Sequence, residues 1–256
     1  MKNENTKYII FDLDETLLDE NREVTAFTKS TLDELRAKGK IIVINTARSL
    51  MFAKKYIEAI DPDYAILNGG ALIVDRDGRI IYEKKLTRSD MDKLLPRLLE
   101  LSPSISLQSI NYLYTNDPSF TRWDTKRFDF VNNKIHFDVY KILTHFSEEE
   151  QYKLSEGLGL LCTPYLDGRY QRLNHKDATK HKGNIALLSL LGTDISETIV
   201  FGDDFGDIEM INKAGHGVIM KSARDEALAL CHANVSDFGH TENGVARYLR
   251  SYFGID

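Results

Sequence analysis

The sequence has few cysteines, no long apolar run and no concentration of basic residues. Its two cysteines, Cys162 and Cys231, lie far apart and lack metal-ligand spacing, which argues against a disulfide framework or a zinc site and favours buried thiols. No stretch approaches the ~18 apolar residues of a membrane-spanning helix. The polar segment from Met1 to Tyr8 lacks the apolar part of a signal peptide. We therefore expect a cytoplasmic protein with no membrane partner.

The charge balance is equally unlike that of a nucleic-acid-binding protein. The formal net charge is -6 and no run of Lys and Arg is present, whereas binding a polyanion needs a concentrated basic surface. Hydrophobic residues make up 42% and charged residues 28% of the 256 residues, as in ordinary globular proteins. The chain is long enough for one large domain, or for a core with a smaller inserted domain. Any phosphate that it handles should be small, and the sequence leaves the oligomeric state open.

Short apolar runs alternate with helical patterns at both ends of the chain. We predict strands at Tyr8–Phe11, Ile41–Ile44 and Tyr64–Leu67, separated by helices at Val24–Lys38 and Leu50–Ile60. After Lys180 the same rhythm predicts helices at 185–191, 208–213 and 223–230, with strands at 198–201 and 218–220. Such alternation is typical of a doubly wound sheet, so the predicted fold class is α/β with a Rossmann-like parallel-sheet core.

The middle of the sequence interrupts this rhythm. A hairpin pattern covers residues 71–82, after which short strands such as Ile135–Leu143 mix with helices near Ser89–Leu101 and Ser147–Leu158. We therefore predict a core domain made of residues 1–83 and 176–256, with residues 84–175 forming an inserted α+β domain.

Acidic residues directly follow two of the predicted core strands. In open α/β sheets ligands bind beyond the carboxyl ends of the strands, so these residues are candidates for a functional site. They are Asp12 and Asp14 after the first strand, and Asp203, Asp204 and Asp207 after the strand at 198–201. Two acidic clusters at one sheet edge repel each other unless a hard divalent cation with oxygen ligands lies between them. The predicted cation is Mg²⁺, and Asp204 is assigned only a loop or capping role.

The same edge supplies groups suited to phosphoryl chemistry. A carboxylate that approaches a phosphate dianion meets a repulsion of about 4 kcal/mol at ~4 Å in a dielectric of ~20, which a metal removes. Asp12 then suits the nucleophile, and Asp14, two residues further on, suits the general acid. Thr46 and a lysine are candidates for holding the phosphoryl oxygens. Arg48 either contacts substrate or pairs with a surface acid, and Asn68 either faces the site or belongs to a plain turn.

Two lysines stand at the start of the helix that precedes the strand at 198–201. Helical spacing places Lys180 in one stripe with Asn184 and Leu187, beside the apolar face. Lys182 falls on a stripe that turns toward solvent. The spacing therefore favours Lys180 as the catalytic lysine.

Together these motifs resemble those of the haloacid dehalogenase superfamily. Phe11-Asp-Leu-Asp-Glu-Thr-Leu17 resembles its first motif, DxDxT, and Gly202-Asp-Asp-Phe-Gly-Asp207 resembles its fourth. Asn45-Thr-Ala-Arg48, Asn68-Gly-Gly70 and Lys180 follow in the matching order. The chain looks most similar to the Cof-type sugar-phosphatase branch, whose C2-type cap is inserted where residues 84–175 lie.

The resemblance implies a Mg²⁺-dependent phosphatase that acts on a small phosphorylated metabolite, such as a sugar phosphate, through an aspartyl-phosphate intermediate on Asp12. It also implies that Asp12 binds the metal, that Asp14 does so through its backbone carbonyl, and that Asp203 is the remaining direct ligand. Asp207 would hold a metal-bound water or the lysine.

The sequence departs from the family pattern at three positions. Glu15 and Ala47 stand where the family has glycine, and Gly206 stands where it has asparagine.

The alternative functions are a phosphomutase, which uses the same chemistry, and a non-catalytic sensor of phosphorylated metabolites. Intact Asp12 and Asp14 argue against the sensor, because a binder needs neither a nucleophile nor an adjacent acid.

Overall fold

The structure is a computed structural model that describes residues 5–102, 104–120, 124–144, 160–164 and 171–255. The chain divides into two compact units. The first comprises Met1–Ala47, Ala53–Tyr82 and Thr179–Asp256, and the second comprises Arg48–Phe52 and Glu83–Ala178. The domain limits at residues 84 and 175 stay a prediction.

The elements are numbered in chain order. The strands are β1 (Tyr8–Phe11), β2 (Ile41–Asn45), β3 (Tyr64–Leu67), β4 (Leu72–Asp75), β5 (Ile80–Glu83), β6 (Ile105–Gln108), β7 (Leu113–Thr115), β8 (Thr125–Arg127), β9 (Lys141–Thr144), β10 (Leu160–Pro164), β11 (Gln171–His175), β12 (Thr198–Gly202), β13 (His216–Ile219) and β14 (Asn234–Val235). The helices are α1 (Ala26–Ala37), α2 (Leu50–Ile60), α3 (Arg88–Leu101), α4 (Lys180–Leu190), α5 (Phe205–Asn212), α6 (Asp225–Leu230) and α7 (Gly244–Phe253). Within the described ranges no helix has the length and apolarity needed to cross a membrane.

The first unit contains an eight-stranded sheet in the order β14-β13-β12-β1-β2-β3-β4-β5. The strands from β14 to β3 are parallel, and β4 pairs antiparallel with β3. The central strands β1 and β12 are buried along their whole length, as expected for a parallel sheet covered by helices. The predicted α/β fold class with a Rossmann-like parallel core is confirmed. Because β1, β2, β3 and β12 are parallel neighbours, their carboxyl ends meet at one edge.

The second unit contains a six-stranded sheet in the order β10-β11-β9-β6-β7-β8. Its pairs are antiparallel except for β7 with β8. Helix α3 begins at Arg88, and the side chain of its N-cap residue Thr87 accepts a hydrogen bond from the N–H of Asp90. Its buried residues Met91, Leu94 and Leu98 form one apolar cluster with side chains of β6 and β9.

The predicted strand at Ile135–Leu143 is confirmed only from Lys141, where β9 begins, and is wrong before that residue. Ile135 and Val139 are buried in the apolar cluster of the second unit without belonging to a ladder. Val139 instead makes a single antiparallel bridge to Leu86. The apolar pattern of this segment therefore reflects burial of its side chains and not pairing in a sheet. The predicted helix at 147–158 lies outside the described residues.

Helix starts also differ from the predictions, since capping residues and not the apolar pattern set them. Helix α1 begins at Ala26 because Thr25 is its N-cap. Helix α4 begins at Lys180, five residues before the predicted start at Ile185, because the side chain of Thr179 accepts from the N–H of Lys182. Lys180 thereby becomes the first residue of the helix.

Candidate active site

The segment after β1 is tied to the segment after β12. The N–H of Asp12 donates to the carbonyl of Phe201 at 3.1 Å. The chain then forms a kinked turn over Leu13–Leu17, in which Asp14 is extended and Glu15 has φ 55°. The Thr16 hydroxyl donates to Asp203 Oδ1 at 2.5 Å. These bonds bring Asp12 and Asp203 to the same edge of the sheet.

The segment after β12 is held by Asp207, which lies in the first turn of α5 and is fully buried. Its Oδ2 accepts the backbone N–H groups of Asp203 and Asp204, each at 3.2 Å. Asp204 is the N-cap residue of α5, which fits its predicted capping role. A Cβ on Gly202 would lie 2.5 Å from Asp207 Cβ, so glycine is required for this close approach.

Lys180 lies between two acidic side chains. Its ammonium nitrogen is 2.5 Å from Asp207 Oδ1 and 3.1 Å from Asp12 Oδ2, and all three residues are buried. Burial alone would lower the pKa of Lys180, but the charges of Asp12 and Asp207 raise it above its usual range. Lys182, two residues further on, is exposed. The structure thus brings Lys180, and not Lys182, to the predicted nucleophile.

Close packing seats the first turn of α4 against the end of β3. A Cβ on Gly183 would lie 2.7 Å from Ile66 Cγ2, and a Cβ on Gly70 would lie 2.0 Å from the carbonyl oxygen of Thr179. Gly70 also has φ +100°, a conformation that suits glycine alone. The glycine three residues after Lys180 therefore lets the helix approach the edge where Asp12 lies.

Carboxylate oxygens of Asp12, Asp203 and Asp207 lie within 4.8 Å of one another. This is the one group of three such potential metal ligands in the part of the chain that the structure describes. Burial, with further contributions from neighbouring acids, raises the pKa of Asp12 to about 7 and that of Asp203 to about 9. Asp12 Oδ1 is buried without a hydrogen-bond partner. A hard cation such as Mg²⁺ would stabilise the ionised form of these buried carboxylates and would supply a partner for Asp12 Oδ1. The residues present therefore fit such a cation.

Thr46 and Asn68 are also brought together at this edge. The N–H of Thr46 donates to Ile66 at 2.9 Å, and its carbonyl accepts from the N–H of Gly69 at 3.0 Å. Both side chains are buried, and Asn68 has φ 52°. The hydrogen bond from Gly69 therefore holds the turn at Asn68 beside the end of β2.

Two further predicted site residues are Asp14 and Arg48. Asp14 is half-buried and has φ -68° and ψ 132° within the kinked turn after β1. Arg48 belongs to the second unit, where its Nη1 is 3.5 Å from the carbonyl of Phe52, and its contact with substrate stays a prediction. Among the polar and aromatic residues of the inserted segment that are candidates for substrate contact, Arg122, Trp123, Arg169 and Tyr170 lie outside the described residues.

Sequence reasoning missed two residues that the structure places at the site. Thr16 bonds Asp203, and its position as the threonine of DxDxT was the available signal. Asn45 donates its side-chain amide to the carbonyl of Lys180 at 2.9 Å. Its only signal was its place at the end of a buried strand, which does not reveal a partner 135 residues away.

Comparison with known proteins identifies the sequences and structures that this chain resembles. A sequence profile of the haloacid dehalogenase-like hydrolases matches residues 9–249. The chain is 24% identical over 266 residues to the 5-amino-6-(5-phospho-D-ribitylamino)uracil phosphatase of Bacillus subtilis, covering 96% of this chain and 97% of that protein. It is 26% identical over 262 residues to the HMP-PP phosphatase of Citrobacter koseri, covering 95% and 94%. A solved phosphatase structure, BT1666 of Bacteroides thetaiotaomicron, superposes with a TM-score of 0.81 at 23% identity, covering 98% and 96%.

The profile extends from β1 to α7 and so includes every segment that contributes to the carboxylate cluster. The resemblance predicted from the motifs at Asp12 and Asp203 is confirmed by this match. The chain therefore belongs to the haloacid dehalogenase-like hydrolases, as a phosphoric monoester hydrolase.

Proposed function

We propose that this enzyme hydrolyses a small phosphorylated metabolite in a Mg²⁺-dependent reaction with Asp12 as nucleophile. The observation that carries the proposal is the environment of the Asp12 carboxylate. Its Oδ2 faces the Lys180 ammonium at 3.1 Å, and its Oδ1 has no hydrogen-bond partner. One oxygen is thus paired with an ammonium of the protein and the other has no hydrogen-bond partner, so this carboxylate could serve both a metal and a phosphoryl group.

The acidic cluster supplies the proposed metal ligands. Asp12 and Asp203 offer side-chain oxygens, and the backbone carbonyl of Asp14 is proposed as the third protein ligand. When bound, Mg²⁺ would neutralise the repulsion between carboxylate and phosphate and orient the phosphoryl group. Both oxygens of Asp207 already accept hydrogen bonds, from Lys180 and from the backbone after β12. This supports a role for Asp207 in holding the lysine and the loop.

In the first half-reaction Asp12 attacks phosphorus, and an O–P bond forms as the bond from phosphorus to the leaving oxygen breaks. The leaving alkoxide takes a proton from the carboxyl group of Asp14. The product is an aspartyl phosphate on Asp12. The position of Asp14, two residues beyond the nucleophile and only half-buried, supports this role because a proton donor must reach the leaving group and then solvent.

In the second half-reaction a water attacks the same phosphorus and gives its proton to the Asp14 carboxylate. The bond from phosphorus to Asp12 breaks, which releases inorganic phosphate and restores both carboxyl groups. Lys180 and Thr46 are proposed to hold the phosphoryl oxygens through both steps, where negative charge develops. Asn68 and Arg48 are proposed as further contacts on the substrate side.

We further propose a phosphate ester on a sugar or sugar-derived chain as the substrate. The motifs resemble those of the sugar-phosphatase branch, and the substrate named for the Bacillus subtilis relative carries its phosphate on a ribityl chain.

The test is a screen of phosphorylated metabolites with purified protein, in which released inorganic phosphate is measured with Mg²⁺, with EDTA, and with EDTA followed by excess Mg²⁺. We expect turnover of sugar phosphates that EDTA abolishes and Mg²⁺ restores. Full activity in metal-free buffer would contradict the metal-dependent mechanism. Release from none of the phosphate esters would contradict the phosphatase function itself.

A further inference from the structure

A single buried amide links the end of β2 to the first turn of α4. Asn45 is the last residue of β2, and its side chain is fully buried. Its Nδ2 donates to the carbonyl oxygen of Lys180 at 2.9 Å and to Oδ1 of Asn184 at 2.7 Å. Because a carbonyl only accepts hydrogen bonds, the amide nitrogen of Asn45 must be the group that faces Lys180.

These two acceptors define the orientation of the helix. Lys180 and Asn184 are four residues apart and therefore lie above one another on one face of α4. A bond to each fixes the rotation of the first turn about the helix axis. Since Thr46 follows Asn45 directly, the same strand end holds the predicted threonine and the helix turn that carries Lys180.

Apolar packing holds α4 through Leu187 and Leu188, which lie about two turns beyond Lys180, and not through the first turn itself. The contacts of Gly183 with Ile66, and of Gly70 with Thr179, set how closely the helix approaches the sheet. Close contact between small groups restricts distance more than rotation, whereas two directional bonds to one amide restrict rotation. The Lys180 ammonium lies at the end of a long side chain, so a small rotation of its backbone moves it relative to Asp12. Misplacement of a catalytic group by about 1 Å costs up to about a hundredfold in rate.

We propose that Asn45 is a positioning residue for phosphoryl transfer, acting through the backbone of Lys180 to keep its ammonium beside Asp12. This inference rests on the proposed function, because it presumes that Lys180 acts on the phosphoryl group. Asn45 itself does not touch substrate.

The experiment is a double-mutant cycle. Asn45→Ala is measured in the wild-type background and in the Lys180→Ala background, with p-nitrophenyl phosphate and Mg²⁺ as the probe. If Asn45 acts through Lys180, we expect a loss of about tenfold in kcat when the lysine is present and less than about twofold when it is absent. The KM should change little, because Asn45 makes no contact with substrate. Asn45→Thr is the second variant, since threonine suits a strand and fills most of the same volume without an amide donor.

The matched control is Asn174→Ala. Asn174 is also buried and donates its amide to a backbone carbonyl, that of Tyr140, at 3.0 Å, but it lies in the second unit. Its effect on kcat should be the same in both backgrounds. Equal losses for the Asn45 variants with and without Lys180, or no loss in either, would overturn the inference. Absence of phosphate release by the wild-type enzyme would instead show that the proposed function has failed.

Discussion

The two units of this protein differ in where their backbone is strained. Among the described residues, those with left-handed φ other than glycine are all in the first unit, namely Glu15, Arg22, Asp61, Asn68 and Asn243. The first unit combines this strain with a parallel sheet and a buried carboxylate cluster. The described part of the second unit has a mainly antiparallel sheet and an apolar cluster under α3.

The difference shows how a parallel sheet produces a site. Parallel strands leave their carboxyl ends at one edge, so tight turns must reverse the chain there and place polar side chains close together. Glu15 and Asn68 lie in two such turns, next to Asp14 and to Gly69. Strain of about 1–3 kcal/mol at such positions persists because the surrounding packing holds it. We therefore expect substitutions in the first unit to change chemistry, and comparable substitutions in the second unit to change mainly stability.

The largest effect should come from Asp12→Asn, which removes the proposed nucleophile and metal ligand at almost constant side-chain volume. We expect kcat to fall below about 1% of wild type, a loss of more than about 2.7 kcal/mol of transition-state stabilisation. The measurement is steady-state phosphate release, with circular dichroism to confirm the fold.

Its matched control is Asp124→Asn, because Asp124 is a fully buried acid of the second unit. This change should lower the melting temperature while kcat stays within about threefold. If folded Asp124→Asn protein were as inactive as Asp12→Asn protein, the distinction between the two units would break down.

The next effect concerns close packing at the carboxyl edge. A Cβ on Gly70 would meet the carbonyl oxygen of Thr179 at 2.0 Å, whereas a Cβ on Gly78, in the β4–β5 hairpin, would have no atom within 4 Å. Both glycines have positive φ, +100° and +78°, so alanine is strained at either position. We expect Gly70→Ala to lower the free energy of unfolding by about 2 kcal/mol more than Gly78→Ala does. Urea denaturation measures this difference, and equal costs would show that the approach of α4 to β3 is not tight.

The third effect is a difference in kcat between variants of two lysines in one helical turn. Lys180→Ala should lower kcat at least about tenfold, or about 1.4 kcal/mol, because the ammonium beside Asp12 is lost. Lys182→Ala should change kcat little, since Lys182 is exposed. The reverse ranking would assign the catalytic role to Lys182. Near-normal rates in both variants would remove the lysine from the mechanism.

The sequence predicts the first unit better than the second for a physical reason. Buried parallel strands such as Tyr8–Phe11 are continuous apolar runs, and the predicted bounds of this strand match β1. The acids that follow this strand could be predicted as site residues because ligands bind at the carboxyl ends of the strands in such sheets. In the second unit Ile135 and Val139 are buried without strand pairing, so their apolar pattern misled the strand prediction.

Contacts between segments that are distant in the sequence could not be predicted, even in the first unit. Thr16 bonds Asp203, and Asn45 bonds Lys180, across more than a hundred residues in each case. No local pattern encodes such a pair, because it depends on the order of strands in the sheet. The choice of Lys180 over Lys182 was accessible because helical spacing is local, and the structure places Lys180 next to Asp12 as that spacing predicted.

The smallest effect concerns the strain itself, at the position where this chain has Glu15 in place of the glycine of the family pattern. Glu15 is exposed and has φ 55° and ψ 7°, a left-handed conformation that costs an L-residue about 1–2 kcal/mol. Glycine adopts it without that cost but loses about 0.5–1 kcal/mol through the greater freedom of the unfolded chain. We therefore expect Glu15→Gly to raise the free energy of unfolding by about 0.5 kcal/mol, measured by urea denaturation. Glu20→Gly is the control, since Glu20 is exposed in the same segment without positive φ, and it should lower that free energy by about 0.5–1 kcal/mol. Equal destabilisation by the two variants would mean that Glu15 is not strained, and the association of backbone strain with the edge that carries Asp12 and Asp14 would lose its clearest example.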